Sequence, residues 1–354
     1  MRVLLTHDRF PPDIRGGGEI VVLQTARGLM ARGVDVEVLT AGDPADTEHA
    51  GVAVTRLPIH PYRMNLSLAA IAGRARHADI VQTFTYHAAI PSLAAGWLVR
   101  RPVVCSVLGL FGAAWRDLKG DRLGPACERW ERFVLTRRYD WMAFLSEFSR
   151  QEGIAMGVDA TRTSVTSPGV ELERYRADGP KEPVVLFVGK LETRKGLDDL
   201  LAAARVLPEI PFRLVGWGEG QARVRGAALA NVELVEFESG APLREQLARA
   251  SIFVFPSHAE TFGIALVEAM ASGCAVASSV PLEFAGERFA VGDREALVRA
   301  LRALWSDPGR VTELGRRNAT LARQYHWDAY VDRLLDAYGH VLRARGSTVQ
   351  IPEH

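Results

Sequence analysis

The sequence predicts an α/β protein built from two doubly wound parallel sheets in tandem. Three observations lead there. Short, nearly uninterrupted apolar runs alternate with longer stretches of helical periodicity, as expected of strands buried on both faces between crossover helices. The alternation stops at one polar stretch with two prolines, residues 176–183, and restarts behind it with a fresh apolar strand. The 354 residues suit two domains of ordinary size.

The elements follow in order. Arg2–Thr6 reads as the opening strand. A glycine run, Gly16, Gly17 and Gly18, separates it from a helix at 20–32, which Gly33 ends before a strand at 34–40. Apolar runs at 80–83, Val103–Val107 and 141–145 read as strands, with helices at 88–99 and 126–139 between them. These fill a first domain, 1–175, and 176–183 is the linker. The second domain, 184–324, has strands at 184–189, 212–215, 232–237, 252–255 and Ala275–Ser278, and helices at 198–206, 243–250 and 263–271. A last helix at 327–343 places Val331, Leu334, Leu335, Tyr338 and Leu342 on one face. Open α/β sheets bind ligands beyond the carboxyl ends of their strands, so two facing sheets would make a cleft for two substrates.

Composition narrows the function classes. Hydrophobic residues are 48% and charged ones 24%, as in folded soluble proteins. The formal net charge of +1 provides no global field for nucleic acid. Cys105, Cys127 and Cys274 are too few and too scattered for a disulfide framework or a zinc knuckle. The N-terminus has no signal-peptide pattern, and the longest apolar stretch, 103–115, falls short of the roughly 20 residues of a membrane helix. A cytoplasmic location is expected. Residues 115–138 are locally basic and lie next to Leu110, Phe111 and Trp115, which leaves a weak peripheral contact with the inner membrane open. A solvated helix face is the preferred reading.

Two segments carry chemistry. In the first, a buried strand ending at Phe255 passes through Glu260, Thr261, Phe262, Gly263 and Ile264 into a helix bearing Glu268, with seven residues between the two glutamates. Thr261 is expected to cap the helix, and the amides near Phe262, Gly263 and Ile264 then form an anion site. Glu268 sits in a helix of Ile, Ala, Leu, Val and Met, where a carboxylate needs hydrogen-bonding partners such as a ribose diol. The plainer alternative makes Glu268 solvated and Glu260 a helix cap. In the second segment, Gly189 and Lys190 are followed by Lys195 and Gly196 just after a strand. The chain has four lysines against 39 arginines, and two fall here. Cations at a strand end can neutralise a diphosphate leaving group. The sequence shows neither an Asp-x-Asp nor a His-Glu-x-x-His motif, so no metal is expected.

The pair of segments resembles the retaining glycosyltransferases of family 4, also called group 1 glycosyl transferases. That resemblance implies the GT-B fold, two Rossmann-like domains facing across a cleft, with residues 325–346 crossing back to the first domain. It further implies that Glu268 binds a nucleotide ribose and that Glu260 faces the donor sugar. Phe262, Gly263 and Ile264 would contact the donor through their amides. Gly189, Lys190 and Lys195 would sit against the diphosphate. Gly16, Gly17 and Gly18 resemble the loop that reaches the donor phosphate and the acceptor. The implied activity is retaining, metal-independent transfer from a nucleotide sugar, a UDP- or GDP-sugar being expected, to an unidentified acceptor, with no separate cofactor. The alternative is a GT-B protein that binds a nucleotide sugar without transferring it. One departure stands out. Leu108 occupies the place where many members carry a histidine that contacts the sugar. Either His87 supplies that contact or the sugar presents an apolar edge to Leu108, although a surface or packing role is preferred for His87. Oligomeric state is left open.

Overall fold

The computed structural model describes residues 1–14 and 16–352. It divides into two units, Met1–Gly169 together with the chain from Trp327 onward, and Val170–His326.

The first unit holds strands β1 (Arg2–Thr6), β2 (Asp35–Ala41), β3 (Glu48–His49), β4 (Val52–Leu57), β5 (Ile80–Phe84), β6 (Val103–Val107), β7 (Trp141–Phe144) and β8 (Thr163–Val165). They lie in the order β3-β4-β2-β1-β5-β6-β7-β8, parallel except where β3 meets β4. The second unit holds β9 (Glu182–Lys190), β10 (Phe212–Trp217), β11 (Val232–Glu236), β12 (Ala250–Phe255), β13 (Ala275–Ser278) and β14 (Gly286–Arg288), in the all-parallel order β11-β10-β9-β12-β13-β14. Each sheet grows outward from its first strand in one direction and then reverses. The reversals fall between β1 and β5 and between β9 and β12, the switch points where such sheets bind ligands. Every residue of β5 and β6 is buried, and two of their polar members are paired across the strands, Gln82 Nε2 donating to Ser106 Oγ at 2.8 Å.

The last helix, Trp327–Ala344, belongs to the first unit. All five residues of its expected face are buried. Gly28 lets it pack closely, since a Cβ there would lie 2.3 Å from Val331 Cγ2. The polar groups it buries are paired. Tyr330 shares a 2.8 Å hydrogen bond with Thr25, and Tyr338 donates to Gln82.

The units part at Gly169–Val170, ahead of the expected 176–183. The reason is local bonding. Val170 N–H donates to Tyr325 O at 3.0 Å, Tyr175 donates to Glu268, and Lys181 donates to the Ser272 carbonyl. The stretch that reads as a linker is therefore fastened to the second unit, and β9 already starts at Glu182.

Two further differences have physical causes. Strand β4 escapes an apolar-run reading because it contains Arg56. That arginine is buried because its guanidinium donates to the carbonyls of Phe10, Pro11 and Asp46. The expected helix at 126–139 runs instead over Trp115–Leu135, with a break at Gly120, where φ is +71°. Its Glu131 is no solvated acid. It is 1% exposed and accepts hydrogen bonds from Tyr86 Oη and from the N–H groups of Phe111 and Gly112. It thereby pins the loop that follows β6. Trp130 and Phe133 on the same helix are partly exposed and stack at 5.5 Å.

Candidate active site

In the second unit, β9 and β12 each release a loop at their carboxyl ends, one running to Gly196 and the other to Gly263. The loops are laced together. His258 N–H donates to the Arg194 carbonyl at 2.8 Å, and the Arg194 guanidinium donates to the Ala259 carbonyl at 3.1 Å. Gly196 makes the approach possible. Its φ is +77°, and a Cβ there would fall 2.0 Å from Pro256 O.

Gly33 has the same φ with open space around it, so it serves as a control for Gly196. Gly33→Ala should cost about 1–2 kcal/mol, the penalty of the left-handed conformation alone. Gly196→Ala should cost clearly more in denaturant unfolding, because the loop must also retreat from Pro256. Equal costs would mean that the two loops give way freely.

The lacing brings two of the sequence-derived residues into contact. Lys195 Nζ meets the Glu260 carboxylate, both side chains being about 15% exposed, and lies 5.2 Å from the centre of the Phe255 ring. Lys190 is more open and pairs with Glu192 at 2.9 Å. Glu192 also takes the Arg194 guanidinium at 2.6 Å. Burial alone would raise the Glu192 carboxyl, but Lys190 and Arg194 outweigh it and hold it below the usual carboxylate range. Three cations thus face two carboxylates at this strand edge.

Gly263, with φ of +92°, stands at the N-cap of the helix Ile264–Ala271, and no side chain caps it. Thr261 is not the cap that the sequence suggests. The Leu266 N–H turns back to the Gly263 carbonyl at 2.9 Å, and the N–H groups ahead of it lie at the positive end of the helix dipole. Gly189, next to the carboxyl end of β9, stands opposite Gly216 in the register of β10.

Glu268 lies one turn into the same helix and does not join the Lys195–Glu260 pair. Its carboxylate accepts a 2.7 Å hydrogen bond from Tyr175 Oη. Burial pushes its pKa up to about 7, partly offset by that hydrogen bond. Burial and the neighbouring Glu268 raise the Tyr175 phenol in turn. Neither glutamate fits its plainer reading. Glu268 is half-buried and takes the Tyr175 hydroxyl, and Glu260 is an ion-pair partner.

Several neighbours were not singled out by sequence reasoning. Arg194, Glu192 and Tyr175 are three of them. Asp199 is another, lying 2.5 Å from His258 Nε2 and 2.6 Å from Arg294 Nε. Burial would raise Asp199, but the hydrogen bonds from Arg294 and His258 hold it low. At the ends of β10 and β11, Trp217 and Phe237 lie with ring centres 4.4 Å apart.

In the first unit, Gly17 and Gly18 open the helix Gly17–Ala31, and the Gly16 N–H donates to the Glu19 carboxylate at 2.9 Å. Leu108 packs on this run, its Cδ1 lying 3.3 Å from where a Gly18 Cβ would be. His87 is engaged by packing. Its Nδ1 is 3.1 Å from Asn65 Nδ2, its ring is 4.8 Å from that of Tyr62, and burial lowers its pKa.

The family described as Glycosyltransferase Family 4 matches residues 15–174, and the one described as Glycosyl transferases group 1 matches residues 182–307. The chain belongs to the family 4, group 1 glycosyltransferases. It is therefore a glycosyltransferase. It is 29% identical to a D-inositol 3-phosphate glycosyltransferase of Rhodococcus jostii, over 91% of this chain and 84% of that protein. The corresponding enzyme of Thermomonospora curvata is 28% identical, over 91% and 90%. Among solved structures, the chain resembles sucrose-phosphate synthase of Thermosynechococcus elongatus, with a TM-score of 0.79 and 22% identity over 97% of this chain and 99% of that one. It also resembles Anabaena HepE in complex with UDP and glucose, with a TM-score of 0.76 and 18% identity over 96% and 100%. These likenesses establish the fold as GT-B. Among the described residues of this glycosyltransferase, no helix is long and apolar enough to cross a membrane.

Proposed function

We propose that this glycosyltransferase takes its sugar from a nucleotide-sugar donor, retains the anomeric configuration and needs no metal. One observation carries the reading. At the reversal point between β9 and β12, the Lys195–Glu260 pair stands beside an uncapped helix start. The donor diphosphate lies against the amides of Phe262, Gly263 and Ile264 and the cations Lys190 and Lys195. As the bond from C1 to the phosphate oxygen breaks, charge grows on that oxygen, and these preorganised groups stabilise it. Their charge takes the part that a divalent ion plays elsewhere. Glu268 accepts from the ribose hydroxyls in place of, or together with, Tyr175. The Trp217–Phe237 pair lies at the strand ends where the base would sit.

Glu260, held by Lys195, orients sugar hydroxyls rather than attacking C1. The acceptor oxygen bonds to C1 on the face that the diphosphate leaves, and the departing phosphate oxygen takes the acceptor proton. The configuration at C1 is thereby kept. Gly16, Gly17 and Gly18 form the loop proposed to reach the acceptor. A UDP-sugar is the first donor to try, because the structural neighbour HepE holds UDP and glucose. D-inositol 3-phosphate, named in the relatives, heads the acceptor panel.

The test is product analysis. Excess EDTA should leave the initial rate unchanged within about twofold, where removing an essential metal ion would abolish it. Proton NMR of the first-formed product should show the anomer of the donor. Chelator inactivation would overturn metal independence, and an inverted anomer would overturn retention.

A further inference from the structure

A cavity of about 850 Å³ opens on the opposite edge of the second sheet. It lies at the amino ends of β9 and β12, where Pro183, Ser251 and Ile252 line it. From Ser251 to Phe255 the strand covers roughly 13 Å, so this cavity is separate from the loops at the carboxyl ends.

Its lining combines two chemistries. Ile252, Trp305 and Val311 give an apolar wall, and Lys181, Arg316 and Arg323 bring three cations. Lys181 is tethered, its Nζ donating to the Ser272 carbonyl at the end of the Ile264–Ala271 helix, and burial lowers its pKa. Its sequence neighbour Glu182 offers no neutralisation, because that carboxylate is held by Arg213 and Arg249. Arg316 and Arg323 make no ion pair among the described residues. The single carboxylate in the lining is Asp178, which leaves an excess of two positive charges. Apolar walls with a few convergent polar groups, in a volume of roughly 300–1,000 Å³, are the marks of a small-molecule site.

We propose that this cavity binds an amphiphilic anion, a phosphate or carboxylate head on an aliphatic or aromatic body. The head meets Lys181, Arg316 and Arg323, and the body lies on Ile252, Trp305 and Val311. Such a ligand derives either from lipid or from a water-soluble aromatic ester.

The experiment titrates the full chain by calorimetry with dodecyl phosphate below its micellar concentration, 1-naphthyl phosphate, inorganic phosphate and 1-dodecanol. At least one of the two esters should bind about tenfold or more tighter than both inorganic phosphate and the alcohol. The tighter ester distinguishes the lipid-like source from the aromatic one. The double variant Arg316→Ala/Arg323→Ala, altered at exposed positions, should keep its melting temperature and lose about tenfold or more in ester affinity, as expected when two charge-assisted contacts go. Lys195→Ala should bind the ester as the unaltered protein does, which separates this cavity from the donor site. The proposal is overturned if phosphate alone or the alcohol binds as tightly as both esters. It is equally overturned if the double variant keeps full affinity, or if Lys195→Ala abolishes binding.

Discussion

Lys195→Ala is expected to lower turnover by about a hundred- to a thousandfold while weakening donor binding by less than about tenfold. The asymmetry follows from when the charge appears. In the bound donor the diphosphate charge is shared over several oxygens and met by the helix amides. It concentrates on the leaving oxygen only as the bond to C1 breaks, and an interaction that strengthens at that moment acts on kcat. The structure adds a second component. Lys195 and Glu260 are both mostly buried and touch one another, so removing the lysine strands a carboxylate. Glu260→Gln breaks the ion pair but leaves Lys195 in place, and so separates the two effects. If the loss is mainly leaving-group stabilisation, Glu260→Gln keeps more activity than Lys195→Ala. Equal losses in kcat and in donor affinity for Lys195→Ala would reduce the lysine to uniform binding.

Glu268→Ala is expected to weaken the nucleotide sugar by about 1.5–3 kcal/mol, roughly ten- to 150-fold, because the ribose loses a charged acceptor. The pKa of about 7 makes this contact pH-dependent. The ionised carboxylate is the better acceptor for two hydroxyls, so donor affinity should rise with pH across the region around 7. Binding should release a proton there, measurable by calorimetry in buffers of different ionisation enthalpy. Glu268→Gln should flatten the profile. Stability runs the other way. The folded protein holds this carboxyl above its ordinary value near 4.5, so between 4.5 and about 7 the folded state binds more protons than the unfolded one. The stability that the protonated group contributes is complete below the ordinary value and is lost as pH rises through about 7. In the glutamine variant that loss should be absent. A pH-independent Kd in the unaltered protein would show that Glu268 does not meet the ribose.

The sheets and the two glycine loops were legible because their causes are local. A parallel strand buried on both faces is mostly apolar, and Gly196 must be glycine both for its φ and for Pro256 beside it. What escaped depends on chain that is distant in sequence. Tyr175 reaches Glu268 across 93 residues, Arg194 reaches Ala259 across 65, and Arg294 reaches Asp199 across 95. No periodicity encodes such partners. Glu131 was hidden for the opposite reason. It lies in a run of charged residues that reads as a solvated face, and only the fold turns it inward onto Phe111 and Gly112. The short edge strands β3, β8 and β14, of two or three residues, are too brief to leave a pattern. The stretch 176–183 read as a linker because composition reports polarity but not the carbonyl that Lys181 finds at Ser272.

The central claim is that the loops after β9 and β12 hold a nucleotide sugar. Calorimetric titration of the unaltered protein and of Glu268→Ala with UDP, GDP and ADP and their glucose and mannose conjugates tests it most directly. One base series should bind the unaltered protein and raise its stability by about 2.7 kcal/mol at a hundredfold excess over Kd. The same series should bind Glu268→Ala at least about tenfold more weakly. No binding by any of these nucleotides, or equal affinity in the two proteins, would contradict the account.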